Sequence, residues 1–133
     1  MAEATRAALT SIPLFAGLDD AALVGLAERT TGFEAPAGHV LVEVGQPGTG
    51  LFVIEAGEVE VEVAGRVVVL GAGEFFGEVA LLTDRPRTGR VRARTDVRCR
   101  ALARADFARL LAEQPRIAVG MLPVLASRLA DAT

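Results

Sequence analysis

Lysine is absent from this chain: all 14 basic residues among its 133 are arginine. Alanine, glycine and arginine are so frequent that the absence reads as coding composition rather than chemistry. The single cysteine, Cys99, excludes an intramolecular disulfide and leaves too few thiolates for a cysteine-held zinc or an iron–sulfur cluster. The single histidine, His39, argues against a metal-dependent jelly-roll enzyme, which gathers two or three imidazoles with a carboxylate, so no metal site is expected. No apolar run reaches the roughly 18 residues of a membrane span. The opening Met1-Ala2-Glu3-Ala4-Thr5-Arg6 carries an acid and lacks the apolar stretch of a signal peptide. A cytoplasmic setting is therefore expected. The net charge of -3 gives no global attraction to nucleic acid or to an anionic membrane, so any phosphate recognition has to be local.

The length suits one domain, residues 1–133, in three segments. The first, 1–32, reads as helical: a weak helix over 3–10 stopped by Pro13, an apolar connector in which Phe15 packs inward, and an amphipathic helix over 19–30 headed by Asp19 and Asp20. From 33 to 104 the pattern changes to short valine-rich runs punctuated by glycine, the mark of a β-roll. Glu58-Val59-Glu60-Val61-Glu62-Val63 alternates strictly, which predicts one apolar inward face and one acidic wet face. Ala64-Gly65 reads as a tight hairpin into Arg66-Val67-Val68-Val69-Leu70. Arg90, Arg92 and Arg94 alternate in the same way, either as a solvated strand face opposite the glutamates of another strand or as positive charge gathered near Arg87. In the last segment, 105–133, Asp106 is expected to cap a helix carrying Phe107, Leu110 and Leu111. Pro115 opens a second helix, which Pro123 should kink or break.

The most informative stretch runs from Gly73 to Thr88. Phe75 and Phe76 end a strand, and Gly77-Glu78-Val79-Ala80-Leu81-Leu82 forms one or two helical turns whose free amides at 78 to 80 converge on one spot. Gly77 lets a ligand approach the backbone, and Arg87 can grip a phosphate with two parallel donors. Thr88 adds a hydroxyl, and Glu78 can accept from a ribose hydroxyl. The competing reading is an internal Glu78–Arg87 ion pair that staples the loop, with Gly77 merely permitting a turn.

The entry Ile12-Pro13-Leu14-Phe15-Ala16-Gly17-Leu18, the turn Glu43-Val44-Gly45-Gln46-Pro47-Gly48, the strand from Leu51 to Val59 and the loop from Phe76 to Thr88 together resemble the cyclic nucleotide-binding domain family. The resemblance covers nearly the whole chain. It implies a mainly β fold: an antiparallel, jelly-roll-like β-roll with N-terminal helices, a short phosphate-binding helix and two C-terminal helices. It also implies Arg87 as the phosphate ligand, Glu78 as acceptor of the ribose 2′-hydroxyl, and Gly77 with Ala80 as the backbone part of the site. The candidate site is thus Phe76, Gly77, Glu78, Val79, Ala80, Arg87 and Thr88. Gly89 and Arg90 depart from the family pattern, which either loosens the strand after Arg87 or sets an extra cation beside the purine. The final helix looks short for a lid; Leu122, Leu125 and Leu129 either cap the base or pack on the roll.

The function expected is a sensor that binds cAMP in preference to cGMP, needs no cofactor and signals through its C-terminal helices. Its partners would be the nucleotide and an unidentified effector protein or fused domain, with a homodimer also open. Thr83-Asp84 and Ser127-Arg128 have no histidine near them, so no catalytic set is expected. The sequence stops without room for a helix-turn-helix, so DNA binding by this chain is not expected. Two alternatives stand beside this: a truncated catabolite activator-type transcription regulator, and a nucleotide-free interaction domain with the same roll.

Overall fold

The structure, a computed structural model, describes residues 2–83 and 85–132; Asp84, weighed above beside Thr83, lies outside them. Helix α1 (Glu3–Thr10) and a 3-10 turn (Pro13–Phe15) lead to α2 (Asp20–Arg29), whose first turn is capped by the Asp19 carboxylate accepting from Ala22 N at 2.8 Å. Eight strands follow: β1 (Thr30–Ala35), β2 (Val40–Val42), β3 (Gly50–Ala56), β4 (Val59–Val63), β5 (Arg66–Leu70), β6 (Phe75–Phe76), β7 (Arg90–Ala93) and β8 (Val97–Ala103). Between β6 and β7 lies α3 (Glu78–Thr83), and α4 (Arg104–Glu113) and α5 (Pro115–Ala132) close the chain. The strands form two antiparallel four-stranded sheets, ordered β1-β8-β3-β6 and β2-β7-β4-β5.

Alternation along the strands divides the interior into two cores. On β3, Leu51 and Val53 face the helices, where Leu9, Ile12, Phe15, Leu26, Phe107, Leu110, Ile117 and Met121 pack, while Ile54 faces the space between the sheets. The adjacent Phe75 and Phe76 split the same way, one into each core. Cys99 is fully buried between the sheets, and burial followed by the nearby Glu55 charge pushes its thiol up to about 11, so it behaves as a small apolar side chain.

Several boundaries differ from the sequence reading. The roll begins at Thr30 rather than Phe33, because Thr30 to Gly32 already pair with Leu102 to Arg100 of β8. Asp106 sits within the first turn of α4, and Ala103 holds the cap position without a side-chain bond. Proline 123 neither ends nor splits α5, which is an 18-residue helix and the longest in the fold. One missing backbone donor costs a single hydrogen bond, and Ile117, Met121, Val124 and Leu125 hold the helix to the core on both sides of it.

The β4–β5 hairpin is buried only at its base, through Val59 and Leu70. On the inner face beyond that Val61 packs against the core between the sheets, while Val63 and Val68, 40% and 50% exposed, line open space. On its outer face Glu60 stands opposite Arg92 and Glu62 opposite Arg90. The alternating arginines of β7 therefore face the glutamates of a neighbouring strand. The turn holds both Ala64 (φ 51°) and Gly65 (φ 78°) in the left-handed region that two-residue hairpins need. Alanine is strained there, so Ala64→Gly is expected to raise stability by about 0.5–1 kcal/mol in urea unfolding.

Candidate functional site

A cavity of about 360 Å³ opens between the inner face of β4, β5 and β7, the β6–α3 corner and the end of α5. Val61, Val63, Val68, Leu70 and Val91 give it an apolar wall. All seven residues singled out in the sequence, Phe76, Gly77, Glu78, Val79, Ala80, Arg87 and Thr88, line this one space. Three further charged side chains line it: Arg66 of the hairpin and Arg128 and Asp131 of α5.

Arg87 is buried, with 7% of its surface exposed. Its Nη1 donates to the Gly77 carbonyl at 2.8 Å and its Nη2 to the Gly50 carbonyl at 3.0 Å, while Phe52 lies 5.9 Å from the guanidinium carbon. Burial pushes its pKa below the usual arginine range; Glu78 opposes that shift and Arg104 adds to it. The main chain is fixed as well: Gly45 N donates to Arg87 O and Arg87 N to Gln46 O, each at 2.8 Å. That pair of bonds is the work of the Glu43-to-Gly48 turn. Two of the five guanidinium donors are taken by carbonyls, and the residue lines the cavity.

Glu78 is 5% exposed and pairs with a different arginine from the one considered in the sequence. Arg128 of α5 reaches back with Nη1 2.9 Å from Glu78 Oε1, donates through Nη2 to the Phe75 carbonyl at 2.7 Å, and lies 4.6 Å from the Phe75 ring centre. The last helix therefore meets the site through a cation. Leu122 and Leu129 are 61% and 68% exposed and form no apolar cap, whereas Leu125 packs on the core. Sequence reasoning passed over Arg128; its spacing from Met121 and Leu125 was the available signal, since the three share one helical face.

The two departures around Arg87 also find their places. A Cβ at Gly89 would meet Val63 Cγ2 at 2.5 Å and Glu62 O at 2.9 Å, so glycine lets β7 pass close to β4 rather than loosening it. Arg90 turns to Glu43, 3.0 Å away, and does not line the cavity. Arg104, not singled out in the sequence, holds the far end of α3.

Fold and site together define a β-roll with a small-molecule-sized cavity lined by a buried acid and a buried arginine. The sequence profile of the cyclic nucleotide-binding domain matches residues 33–114, and the chain belongs to that family. The cAMP-dependent protein kinase regulatory subunit of Aspergillus fumigatus is 39% identical over 109 residues, covering 80% of this chain and 26% of that protein. A cyclic nucleotide-gated potassium channel of Mesorhizobium japonicum is 38% identical over 110 residues, covering 83% of this chain and 31% of the channel. The catabolite activator protein of Thermus thermophilus superposes with a TM-score of 0.76 at 30% identity, covering 90% of this chain and 59% of that one. The chain thus spans less than a third of the length of the kinase and channel relatives. Among the described residues no helix is long and apolar enough to cross a membrane.

Proposed function

We propose that this chain is a regulatory sensor of a cyclic purine nucleotide, with cAMP bound in preference to cGMP, and that it signals through α5. The observation that carries the reading is the placement of a buried arginine and a buried glutamate on one cavity whose facing wall is made of valines. Each is held in place by protein partners, Glu78 by Arg128 and Arg87 by the Gly77 and Gly50 carbonyls, so both are fixed before a ligand arrives. The cavity volume falls in the range of about 300–1,000 Å³ common to small-molecule sites.

In this mechanism the cyclic phosphate lies against the free donors of Arg87, and the ribose 2′-hydroxyl donates to Glu78. The base then rests on the valines of β4 and β5. Asp131, which also lines the cavity, can accept from a base N–H, and the preference for cAMP is taken from the similarity to a cAMP-dependent protein kinase regulatory subunit. Because Arg128 already holds Glu78, an arriving ribose changes what that arginine contacts and shifts the balance between two positions of α5. Phe76, Gly77, Val79, Ala80 and Thr88 complete the binding surface. The reading includes no catalysis and no cofactor, a cytoplasmic setting, and an effector protein or fused domain as recipient. The exposed Val119, Leu122 and Leu129 of α5 are the surface a second copy would use.

The chain has no tryptophan or tyrosine, so Leu129→Trp places a single fluorophore on an exposed position of α5. Titration with cAMP should give one-to-one binding heat, a rise in melting temperature and a change in that fluorescence, with cGMP weaker. Absence of heat and of any melting shift with either nucleotide would overturn the sensor reading. Binding without a fluorescence change would overturn only the signalling route through α5.

A further inference from the structure

Two short backbone stretches meet behind the cavity: the start of β3, at Gly48 to Gly50, and the corner from Gly77 to Leu81. Arg87 bridges them at one end, between Gly77 O and Gly50 O. Arg104, the first residue of α4, bridges them at the other. Its Nε and Nη2 donate to Gly48 O at 3.1 and 2.9 Å, its Nη2 to Ala80 O at 2.9 Å and its Nη1 to Leu81 O at 3.2 Å. The carbonyls at the end of a helix have no intrahelical donor, so one guanidinium supplies what the end of α3 lacks and fastens it to the neighbouring segment.

The stretches are also in steric contact. A Cβ on Gly48 would overlap the Ala80 Cβ, so glycine allows α3 to lie directly against the start of β3. The Arg104 backbone is anchored to the same place, with its N–H donating to Thr49 O at 2.9 Å. Since α4 continues into α5, α3 is held at both ends by arginines of the C-terminal helices: Arg104 at its last carbonyls and Arg128 at Glu78.

We propose that Arg104 is a positioning residue for the phosphate end of the cavity: it sets where α3 and the Gly77 carbonyl stand, and through them the orientation of the Arg87 donors. This rests on the cyclic nucleotide reading above. Arg104 touches no ligand in this scheme; the role assigned to it is the placing of the carbonyls it holds. A lysine keeps the charge but is a compact point donor that cannot reproduce a planar fork over three carbonyls.

The test measures binding of cAMP and of adenosine, which shares the base and ribose but has no phosphate, by wild type, Arg104→Ala and Arg104→Lys. Hydrogen exchange of the residue 78–83 amides is followed in parallel without ligand. The expected result is a loss of cAMP affinity of about tenfold or more in the alanine variant, with adenosine affinity unchanged within about twofold. Lysine should recover only part of the loss, and exchange across α3 should rise in both variants while β4 and β5 keep their protection. Equal losses for cAMP and adenosine would mean general loosening of the fold and overturn the proposal. Full recovery by lysine would mean a charge effect and overturn it too, as would an unchanged affinity. If wild type binds neither compound, the nucleotide reading fails, and α3 exchange alone then decides: unchanged protection in Arg104→Ala would sink the positioning role.

Discussion

Arg87→Ala is expected to weaken cAMP binding by about 2–5 kcal/mol, which is about 30-fold to several thousandfold in dissociation constant. The size follows from burial. With 7% of its surface exposed, Arg87 would meet the phosphate out of reach of most water, where a charge-assisted pair is worth far more than on the surface. The variant also leaves the carbonyls of Gly77 and Gly50 without their side-chain donor, so ligand-free stability should fall as well. The two effects separate by experiment. Calorimetric titration reads the affinity, urea unfolding without ligand reads the stability, and Arg87→Lys should land between wild type and alanine in affinity because it keeps charge but not the fork. A dissociation constant unchanged in Arg87→Ala would reduce Arg87 to a clamp between Gly77 and Gly50.

Much of this architecture was written in local patterns. Strict alternation at Glu58 to Val63 predicted a strand, glycines marked the turns, and Asp19 ahead of an apolar period marked a helix start. The seven candidate residues could be grouped because they are close in sequence and because Gly77, Glu78 and Arg87 each have a chemical use for the same ligand. Contacts across long separations were the hidden part. Nothing within the neighbourhood of Arg128 says that it reaches Glu78, 50 residues earlier, or that Arg104 will grip Gly48, 56 residues earlier. Helix propensity could not decide Pro123 either, since packing of Ile117, Met121 and Leu125 outweighs one lost hydrogen bond. The hairpin shows the same limit: alternation reveals which residues share a face, but whether another layer covers that face depends on the tertiary arrangement. Here Val61 packs against the core and, with Val63, also walls the cavity.

The second large effect is expected at Gly77. Its φ of 94° lies where L-residues are strained, and a Cβ there would stand 2.7 Å from Arg87 Nη1 and 2.9 Å from Gly50 O. The guanidinium could in principle move aside, but Gly50 O belongs to β3, which is paired along its length with β8 and cannot yield without disturbing the sheet. Gly77→Ala should therefore lose about 1–3 kcal/mol of stability. It should also weaken cAMP binding by about tenfold or more, because Arg87 has to leave its place to make room. Gly71→Ala is the matched control: a Cβ there meets nothing within 4 Å, so stability and affinity should both stay near wild type. If the two alanine variants unfold at the same urea concentration and bind cAMP equally well, close approach at Gly77 is not what the site requires. If Gly77→Ala loses stability but keeps its affinity, the glycine serves the turn alone, and the Arg87 donors are set by the Gly45 and Gln46 backbone bonds instead.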